Sequence, residues 1–480
     1  MSFWTFDNFR DAMGGRWLSR PGEAESALSL HGVTTDSRQV APGVVFFARR
    51  GEQTDGHKFL KQASDAGSPL LVVDDEAAVT EVGPLRSAVL KVDDATAALG
   101  RLAAAYRQTL RARVIAVTGS VGKTTTKSLI DAVLSTRYRG KASPKSFNNH
   151  VGVPVTILAA DPADEYLIVE VGTNAPGEIG SLAKIVQPDI AVITYIGSAH
   201  LEGLGGPEGV LREKASLLLH LREGGMAVVN GDFPSLCEYR RVVPHMLTFG
   251  KSPDCDLRMS DFTGDGAGVT LRVNDRHTHR LPLLGEHNAV NALAAIAVGR
   301  HMKLTDVQIT EGLAKAAAPP MRLKIDRFGP PDTPLVVLND SYNANPDSAA
   351  AALKVLRQYP TGGRRVAILG DMAELGPRGP ELHRQLGETV VESGADMAIF
   401  IGKLSLFTAE TVSRHWPSSR VHIVPAWSDS TPSQIARLLD HGDTVLIKAS
   451  RVMGLERLIP AIAERSGGVV AGGISGGRAK

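Results

Sequence analysis

An apolar strand runs directly into a glycine-bearing loop at residues 114–126 (VIAVTGSVGKTTT), and this junction constrains the fold more than any other feature of the chain. Gly119 and Gly122 let backbone N–H groups turn inward, where they can hold phosphate oxygens. Lys123 adds a mobile cation, and Thr124 adds a hydroxyl that can bind Mg²⁺ at a helix N-terminus. The sequence therefore predicts a site for ATP or GTP.

The loop is a shortened variant of the standard phosphate-binding pattern, because Val117 stands where that pattern has its first glycine. A plain glycine-rich turn between a strand and a helix is the alternative interpretation. It leaves Lys123 and the threonines that follow it without a role. We expect the nucleotide to contact Gly119, Ser120, Gly122, Lys123, Thr124 and Thr125.

The overall composition excludes several other classes of function. The 480 residues carry a formal net charge of +2 at pH 7, which indicates no general nucleic-acid or membrane surface. No apolar run approaches the roughly 20 residues needed to cross a bilayer, and no signal-like segment follows the N-terminus. The two cysteines cannot form a metal cluster by themselves. We expect a cytoplasmic monomer without a membrane span or a nucleic-acid partner.

Strand and helix patterns alternate along the chain, which predicts an α/β protein, and its length favours about three domains. A small N-terminal α/β domain is expected over residues 1–110. A central P-loop ATPase domain with a mostly parallel sheet is expected over residues 111–318. A Rossmann-like domain is expected over residues 319–480, with a glycine-rich mobile tail from about residue 466.

Two further patterns refine this organisation. Residues 248–282 are rich in turns and alternate polar with apolar residues, which favours a small antiparallel addition to the central sheet. The C-terminal part contains five apolar strand patterns separated by helical stretches, from LVVLND to DTVLIKAS. The absence of a GxGxxG motif there argues against a second dinucleotide site.

A bound polyphosphate needs a metal shell, and polar residues at the ends of neighbouring strands can supply it. Glu170 interrupts the apolar strand LIVEVG, where burial is costly without a cation or hydrogen bonds; a solvent-exposed glutamate on an edge strand is the alternative. His200 follows the strand AVITYIG, although a lone loop histidine is usually a surface residue. Lys214 lies in the helical stretch EGVLREKASLLLHL, and this position by itself indicates a solvated lysine.

Six motifs in order resemble the Mur ligase family: GSVGKTT, SFNNHVGVP, VEVGTNAPGEI, GSAHLEGLG, REKASLL and GEHNAVNALAA. The resemblance extends over nearly the whole chain, from TTDSRQVAPGVVFFARRGEQTDGHKF to the C-terminal domain that starts near Pro319. It implies three domains that close around the reactants. The implied reaction is ATP-dependent amide formation through an acyl phosphate.

Two more motifs, LNDSYNANPDS and ILGDMAELG, resemble the family members that join D-alanyl-D-alanine to UDP-N-acetylmuramoyl-tripeptide in peptidoglycan precursor synthesis. Members that add diaminopimelate or lysine are expected to show a DYAHTPD-like stretch, commonly with DNPR for diaminopimelate, and neither string occurs. Folylpolyglutamate synthetases would show a DGAHN-like segment where this chain has Asn343 and Asn345. Another amino-acid ligase of the family and a non-catalytic ATP-binding regulator stay open as alternatives.

The resemblance also implies catalytic and metal-binding roles. Lys123 would stabilise the β and γ phosphates. Thr124 and Glu170 would hold one Mg²⁺, and His200 would help to hold a second. Lys214 matches the family lysine that reacts with CO₂ to become a carbamate, which is an oxygen ligand suited to Mg²⁺. Lys123, His200 and Lys214 thus form the implied catalytic set.

Further implied contacts concern the nucleotide. His287, Asn288 and Asn291 match residues around the adenine, although Asn288 could simply cap its helix. Arg322 and Asp340 resemble residues that reach the nucleotide when the domains close.

The acceptor substrate is expected to lie against two other motifs. Ser37 and Arg38 of the DSR motif resemble contacts to a UDP-sugar, and the SFNN motif adds Asn148 and Asn149 to the expected substrate-binding residues. Residues 55–57 form a companion DGH turn, for which a purely turn-forming role is an alternative.

Overall fold

The computed structural model describes residues 3–22, 30–51, 54–198 and 201–468. The described part folds into three α/β units built on sheets of five, nine and six strands, which confirms the predicted fold class. The proposed domain boundaries after residues 110 and 318 stay a proposal. Residues 469–480 of the predicted mobile tail lie outside the described part.

The N-terminal unit has a five-stranded sheet in the order β1-β5-β4-β3-β2, in which only the β1–β5 pair is antiparallel. Its strands are β1 (Arg16–Ser19), β2 (Gly32–Thr34), β3 (Val44–Phe47), β4 (Leu70–Val73) and β5 (Ala88–Lys91). Its helices are α1 (Phe6–Met13), α2 (Leu60–Asp65), α3 (Glu76–Val82) and α4 (Ala95–Thr109). The apolar patterns located β3, β4 and β5. They missed β1 and β2, which are too short to show a clear alternation.

The central unit has a nine-stranded sheet in the order β14-β13-β12-β11-β10-β9-β6-β8-β7. Its strands are β6 (Arg113–Thr118), β7 (Gly140–Ala142), β8 (Tyr166–Glu170), β9 (Ile190–Ile193), β10 (Met226–Asn230), β11 (Met246–Gly250), β12 (Leu257–Asp265), β13 (Gly268–Val273) and β14 (His277–Leu281). Strands β12 to β14 pair antiparallel, which confirms the addition predicted for residues 248–282. The other pairings are parallel.

Helices cover both faces of the central sheet. They are α5 (Lys123–Leu134), α6 (Gly152–Leu158), α7 (Glu178–Val186), α8 (Leu201–Leu204), α9 (Pro207–Ala215), α10 (Pro234–Cys237), α11 (Glu286–His301) and α12 (Asp306–Ala314). Because β6 and β8 to β10 are parallel, their carboxyl ends lie at one edge of the sheet. Ligand-binding loops of α/β proteins are found at that edge.

The C-terminal unit has a six-stranded sheet in the order β15-β16-β20-β17-β18-β19. Its strands are β15 (Lys324–Phe328), β16 (Leu335–Asp340), β17 (Arg365–Gly370), β18 (Met397–Ile401), β19 (Val421–Val424) and β20 (Thr444–Lys448). Its helices are α13 (Pro346–Gln358), α14 (Gly379–Glu392), α15 (Ser405–Ser413), α16 (Thr431–Ala436) and α17 (Leu458–Arg465). The five predicted strands are parallel. The antiparallel edge strand β15 was missed, because its sequence KIDRF is largely polar.

One hydrophobic core extends through the N-terminal and central units. Phe9 and Leu102 of the N-terminal unit belong to the same buried cluster as Ile157 and Val186 of the central unit. Helix α4 lies at this junction and packs against α1, α6 and α7. The two units are therefore joined by apolar burial as well as by the chain between them.

Arg107, in the last turn of α4, is fully buried at this junction. Its Nε donates to the Val186 carbonyl at 2.8 Å, and its Nη2 donates to the Gln187 carbonyl at 2.9 Å and to Asp189 Oδ2 at 2.8 Å. Asp189 also accepts from the backbone N–H of Val114 in β6 at 2.8 Å. This ion pair thus ties α4 to the strand that leads into the glycine-bearing loop.

We predict that Arg107→Ala lowers the free energy of unfolding by about 3 kcal/mol, because it removes a fully buried guanidinium and leaves the partly buried Asp189 with the more distant Arg113, at 3.6 Å, as a cation. Chemical and thermal unfolding of the purified variant measure the loss. Gln108→Ala is the matched control, since Gln108 is an exposed neighbour that also contacts Gln187. Equal losses in the two variants would contradict the assigned contribution of the buried pair.

Candidate active site

The turn between β6 and α5 is shaped by two close backbone approaches. Gly122 has a φ of 85°, and a Cβ there would lie 2.6 Å from Asn291 Oδ1. Gly119 has a φ of 151°, and a Cβ there would lie 2.0 Å from Thr194 Oγ1. Only glycine fits both positions, and the N–H groups at the start of α5 are left to face an anion.

Lys123 is the first residue of α5, and its Nζ donates to the Gly119 carbonyl at 2.7 Å. The ammonium group therefore lies over the loop. Burial lowers the pKa of Lys123, the negative charge of Glu170 opposes this effect, and Arg322 adds to it. The negative charge of a polyphosphate bound at the loop would raise the pKa of Lys123 and so favour its charged form.

Glu170 ends β8, an interior strand between β6 and β7, and only 1% of the residue is exposed. The interpretation as a solvent-exposed glutamate on an edge strand is therefore wrong. Its Oε2 accepts from Thr124 Oγ1 at 2.9 Å, and its Oε1 accepts from Asn148 Nδ2 at 3.0 Å. Lys127 Nζ lies 3.4 Å from Oε2. These groups supply the compensation that a buried carboxylate requires.

Lys127 is a buried cation that sequence reasoning missed. Its Nζ donates to the Ser143 carbonyl at 2.7 Å and also to the Lys145 carbonyl. Burial lowers the pKa of Lys127, and Glu170 opposes this effect. The available signal was its spacing, because Lys127 follows Lys123 by four residues and shares its helix face. It fixes the segment before Asn148 as well as Glu170.

Lys214 lies on α9 and is fully buried, so the interpretation as a solvated lysine is wrong. Its Nζ has no hydrogen-bond partner within the part of the chain that the structure describes. Burial places the pKa of Lys214 well below its usual range, and the nearby charge of Lys123 lowers it further. Burial therefore favours the neutral amine over the ammonium ion, and the neutral amine is the form that reacts with electrophiles.

Arg322 brings the C-terminal unit to the first turn of α5, and Asp340 lines the cavity beside that turn. Arg322 Nη2 donates to Thr124 Oγ1 at 3.0 Å, and its guanidinium lies 4.3 Å from the centroid of the Tyr342 ring. Asp340 Oδ2 accepts from Lys448 Nζ at 2.6 Å. The ring of Tyr342, which sequence reasoning also missed, supports the arginine by a cation–π contact.

Asn288 and Asn291 form a hydrogen-bonded pair on α11. Asn288 Nδ2 donates to the Leu284 carbonyl at 2.8 Å, and Asn291 Nδ2 donates to Asn288 Oδ1 at 3.2 Å. Gly285 occupies the N-cap of α11, so the interpretation of Asn288 as a helix cap is wrong. Burial lowers the pKa of His287 to about 4, which keeps its imidazole neutral near pH 7.

A cavity of about 740 Å³ collects most of the predicted site residues from the central and C-terminal units. The predicted residues that line it are Ser120, Gly122, Lys123, Thr125, Asn148, Asn149, Glu170, His287, Asn288, Asn291, Arg322 and Asp340. Asn149 also holds the turn that leads into α6, because its Oδ1 accepts from the N–H groups of Val151 at 3.1 Å and Gly152 at 2.9 Å.

Ser37 and Arg38 are not among the residues that line this cavity. They lie in a 3₁₀ turn, Ser37–Gln39, where the Arg38 side chain is 82% exposed and pairs with Asp36. Hydrogen bonds from Arg38 lower the pKa of Asp36 to about 2. In the DGH turn, Asp55 Oδ1 lies 2.7 Å from Nδ1 of the buried His57, which fits a turn-forming role.

His200 lies outside the described residues, so its predicted place near the metal stays a prediction. Within the described ranges, no group of three or more histidine, cysteine, aspartate or glutamate side chains is arranged to hold a metal ion. Thr124 Oγ1 and Glu170 Oε2 lie 2.9 Å apart beside the loop and supply two oxygen donors. A cation there would have to draw its remaining ligands from the bound nucleotide, from water or from a modified side chain.

Three family descriptions match this chain. Residues 29–107 match the Mur ligase family, catalytic domain; residues 117–299 match the Mur ligase middle domain; residues 326–451 match the Mur ligase, glutamate ligase domain. The chain is 36% identical to the UDP-N-acetylmuramoyl-tripeptide–D-alanyl-D-alanine ligase of Bacillus subtilis, over 91% of this chain and 93% of the relative. It is 34% identical to the ligase of the same name from Escherichia coli, over 92% and 96% of the two chains.

Solved structures agree with the sequence comparison. MurF from Acinetobacter baumannii superposes with a TM-score of 0.83 at 29% identity, covering 96% of this chain and 99% of that protein. MurF ligase from Thermotoga maritima, solved in complex with ADP, superposes with a TM-score of 0.78 at 28% identity. It covers 91% of this chain and 98% of that protein. The likeness therefore includes all three units.

We predict that Gly122→Ala weakens ADP binding by about tenfold or more, because a Cβ at positive φ is strained and would collide with Asn291. Isothermal titration calorimetry with ADP measures the change. Gly177→Ala is the matched control: Gly177 is the N-cap of α7 with the same φ of 85°, and a Cβ there meets nothing within 4 Å. Equal losses of affinity for ADP would show that the strain of alanine at positive φ, and not the collision of the phosphate loop with Asn291, explains the result.

Proposed function

Because the chain belongs to the Mur ligase family, we propose that it catalyses the ATP-dependent addition of D-alanyl-D-alanine to UDP-N-acetylmuramoyl-tripeptide. The reaction is a step of peptidoglycan precursor synthesis. The observation that carries this proposal is the contact of Thr124 with both Glu170 and Arg322, at 2.9 and 3.0 Å, beside the phosphate loop. It unites the loop, a buried acid and the C-terminal unit in one cavity.

The reaction divides into two displacements. A carboxylate oxygen of the tripeptide attacks the γ-phosphorus, the bond to the β–γ bridging oxygen breaks, and ADP leaves behind an acyl phosphate. The amine of D-alanyl-D-alanine then attacks the acyl carbon, loses a proton and expels inorganic phosphate. Lys123 and the loop N–H groups neutralise and hold the phosphates, so positioning and charge account for the first step.

We propose that the site takes Mg²⁺, held by Thr124 and Glu170, with His200 contributing to a second ion. A hydroxyl and a carboxylate are hard oxygen donors of the kind Mg²⁺ prefers. When bound, the ion would neutralise charge on the phosphate oxygens. Lys127 Nζ lies 3.4 Å from Glu170 Oε2, and Arg322 donates to Thr124, which in turn donates to Glu170, so these contacts hold the carboxylate beside the loop.

We propose further that Lys214 is carbamoylated. Its neutral nitrogen would attack CO₂, lose a proton and form an N-carboxylate, which replaces a buried amine by an oxygen ligand. The unpartnered Nζ and the low pKa of Lys214 support this proposal. A buried amine without a hydrogen bond is costly, and the added carboxylate would give the side chain polar partners.

We also propose that Ser37 and Arg38 contact the UDP-sugar, and that Asn148 and Asn149 contact the acceptor nearer the cavity. Acyl phosphates hydrolyse readily, so closure of the units around the reactants would exclude water. Across the described residues, no helix has the length and apolar character of a membrane span. We propose a monomer in the cytoplasm.

An assay with three amines tests the proposed function. Purified enzyme with ATP, Mg²⁺ and UDP-N-acetylmuramoyl-tripeptide receives D-alanyl-D-alanine, diaminopimelate or lysine, and both inorganic phosphate and the ligated product are measured. Of the three amines, we expect only D-alanyl-D-alanine to give inorganic phosphate and the pentapeptide product in equal amounts. In a parallel reaction, UDP-N-acetylmuramoyl-dipeptide replaces the tripeptide as the acceptor. Product formed there from diaminopimelate or lysine would favour another ligase of the family. Nucleotide binding without any product would favour a non-catalytic regulator.

We predict that Lys214→Ala loses at least about a hundredfold in kcat, because it removes the carbamate oxygens that would hold Mg²⁺, whose charge would offset that of the transferring phosphate. Acetate or propionate should restore part of the activity by supplying a carboxylate in the vacated space. Lys184→Ala, which removes an exposed lysine on α7, is the control and should leave kcat and its response to acetate unchanged. Full activity of Lys214→Ala without added acid would remove Lys214 from the site.

A further inference from the structure

Asp347, the second residue of α13, joins the C-terminal unit to the segment that follows β9. Its Oδ2 accepts the backbone N–H of Ser198 at 2.7 Å, and the Tyr195 hydroxyl donates to its Oδ1 at 3.5 Å. Residues 195–198 belong to the central unit. The contact therefore crosses between two units at the rim of the cavity that both of them line.

The same segment is hydrogen-bonded to the phosphate loop. The backbone N–H of Ser120 donates to the Tyr195 carbonyl at 2.8 Å. The N–H of Gly197 donates to Ser120 Oγ at 3.0 Å, and this hydroxyl donates in turn to the Gly197 carbonyl at 3.2 Å. Residues 195–198 are thus held between Asp347 on one side and the phosphate loop on the other.

Two features show how closely Asp347 approaches this segment. A Cβ on Gly197 would lie 2.5 Å from Asp347 Oδ2 and 2.4 Å from the Tyr195 ring, so a larger residue would push the carboxylate away. Burial and the charge of Asp347 raise the pKa of Tyr195 to about 12, so its hydroxyl stays protonated and can donate. The ring of Tyr195 is fixed edge-on against Phe233, with 4.8 Å between centroids.

An acid in the first turn also stabilises a helix through its dipole, which offers a purely structural explanation for Asp347. The N-terminus of α13 is already capped without it, however. Asn345 Oδ1 accepts the N–H of Ser348 at 2.8 Å, and Ser348 Oγ accepts the N–H of Asn345 at 3.0 Å. The Asp347 carboxylate makes its hydrogen bonds across the junction instead, to Tyr195 and Ser198.

We propose that Asp347 is a positioning residue for the phosphate loop. When the C-terminal unit docks, its carboxylate fixes Ser198 and Gly197, and Gly197 fixes Ser120. The loop then reaches its working geometry only when the units that must enclose the reactants have come together. This inference rests on the proposed ligase function, because the loop geometry matters for transfer of the γ-phosphate.

Steady-state kinetics of Asp347→Ala and Asp347→Asn test the proposal. The alanine variant should lose about tenfold in kcat, since a hydrogen bond to a charged group is lost from the geometry that the first displacement needs. The asparagine variant should recover most of the loss, because its amide oxygen can still accept the Ser198 N–H. The KM for D-alanyl-D-alanine should change less than twofold in both variants.

A double-mutant cycle with Ser120→Ala tests the route through the loop. If Asp347 acts through Gly197 and Ser120, the loss caused by Asp347→Ala should shrink at least threefold in the Ser120→Ala background. Lys354→Met is the matched control. Lys354 lies on the same helix and pairs with Glu286 across the same junction, without a contact to residues 195–198, and its effect should multiply with that of Ser120→Ala.

Two results would overturn the proposal: kcat of Asp347→Ala within twofold of the parent enzyme, or independent effects of Asp347→Ala and Ser120→Ala. A lower melting temperature of Asp347→Ala with a loss of kcat that asparagine does not rescue would assign the residue to helix stability and also reject the proposal. Failure of the parent enzyme to form any amide would reject the proposed function instead. The parent's product yield therefore separates the two failures.

Discussion

The burial of Glu170 is the constraint on which the rest of the site depends. A carboxylate that is 1% exposed needs hydrogen-bonding or charged partners, and they come from two separate segments, helix α5 and the loop after β7. Thr124 comes from the phosphate-loop helix, Asn148 from the loop after β7, and Lys127 from the next turn of α5. Satisfying one acid therefore fixes the relative positions of the loop, the helix and the SFNN segment.

The same network continues into the C-terminal unit through Arg322, which donates to Thr124 and stacks on Tyr342. Both junctions of the molecule bury apolar side chains, since Leu204, Val210 and Leu284 of the central unit share a hydrophobic cluster with the C-terminal unit, but they differ in their polar contacts. The N-terminal junction shares a large apolar core and the buried Arg107 ion pair. At the C-terminal junction, polar contacts such as that of Arg322 lie beside the cavity, where a bound nucleotide and its counter-ions can strengthen or replace them.

The phosphate loop and the order of the strands were predictable because both depend on short stretches of sequence. The phosphate site is predicted by Gly119, Gly122 and Lys123, which lie within five positions of one another. Buried strands are predicted by continuous apolar runs. The burial of Lys214 was not predictable from α9 alone, because it depends on how α9 packs against α7. Family resemblance pointed to that lysine, and the structure supplies the physical reason.

Contacts between segments that are far apart in the sequence could not be predicted from the residue types. Lys127 binds carbonyl groups 16 and 18 positions away, and Asp347 binds a segment 149 positions away. Their partners are backbone atoms, which carry no sequence signal of their own. Ser37 and Arg38 illustrate the opposite case: the motif is plain in the sequence, and the structure places it away from the cavity.

The central claim is that this cavity activates a peptide carboxylate as an acyl phosphate. Oxygen transfer tests it most directly. Tripeptide substrate labelled with ¹⁸O in its terminal carboxylate is converted in ordinary water with ATP, Mg²⁺ and D-alanyl-D-alanine, and the released phosphate is analysed by mass spectrometry. The account predicts one ¹⁸O atom in each phosphate when the carboxylate is fully labelled, because the attacking oxygen leaves with phosphorus. Unlabelled phosphate formed together with the ligated product would contradict it.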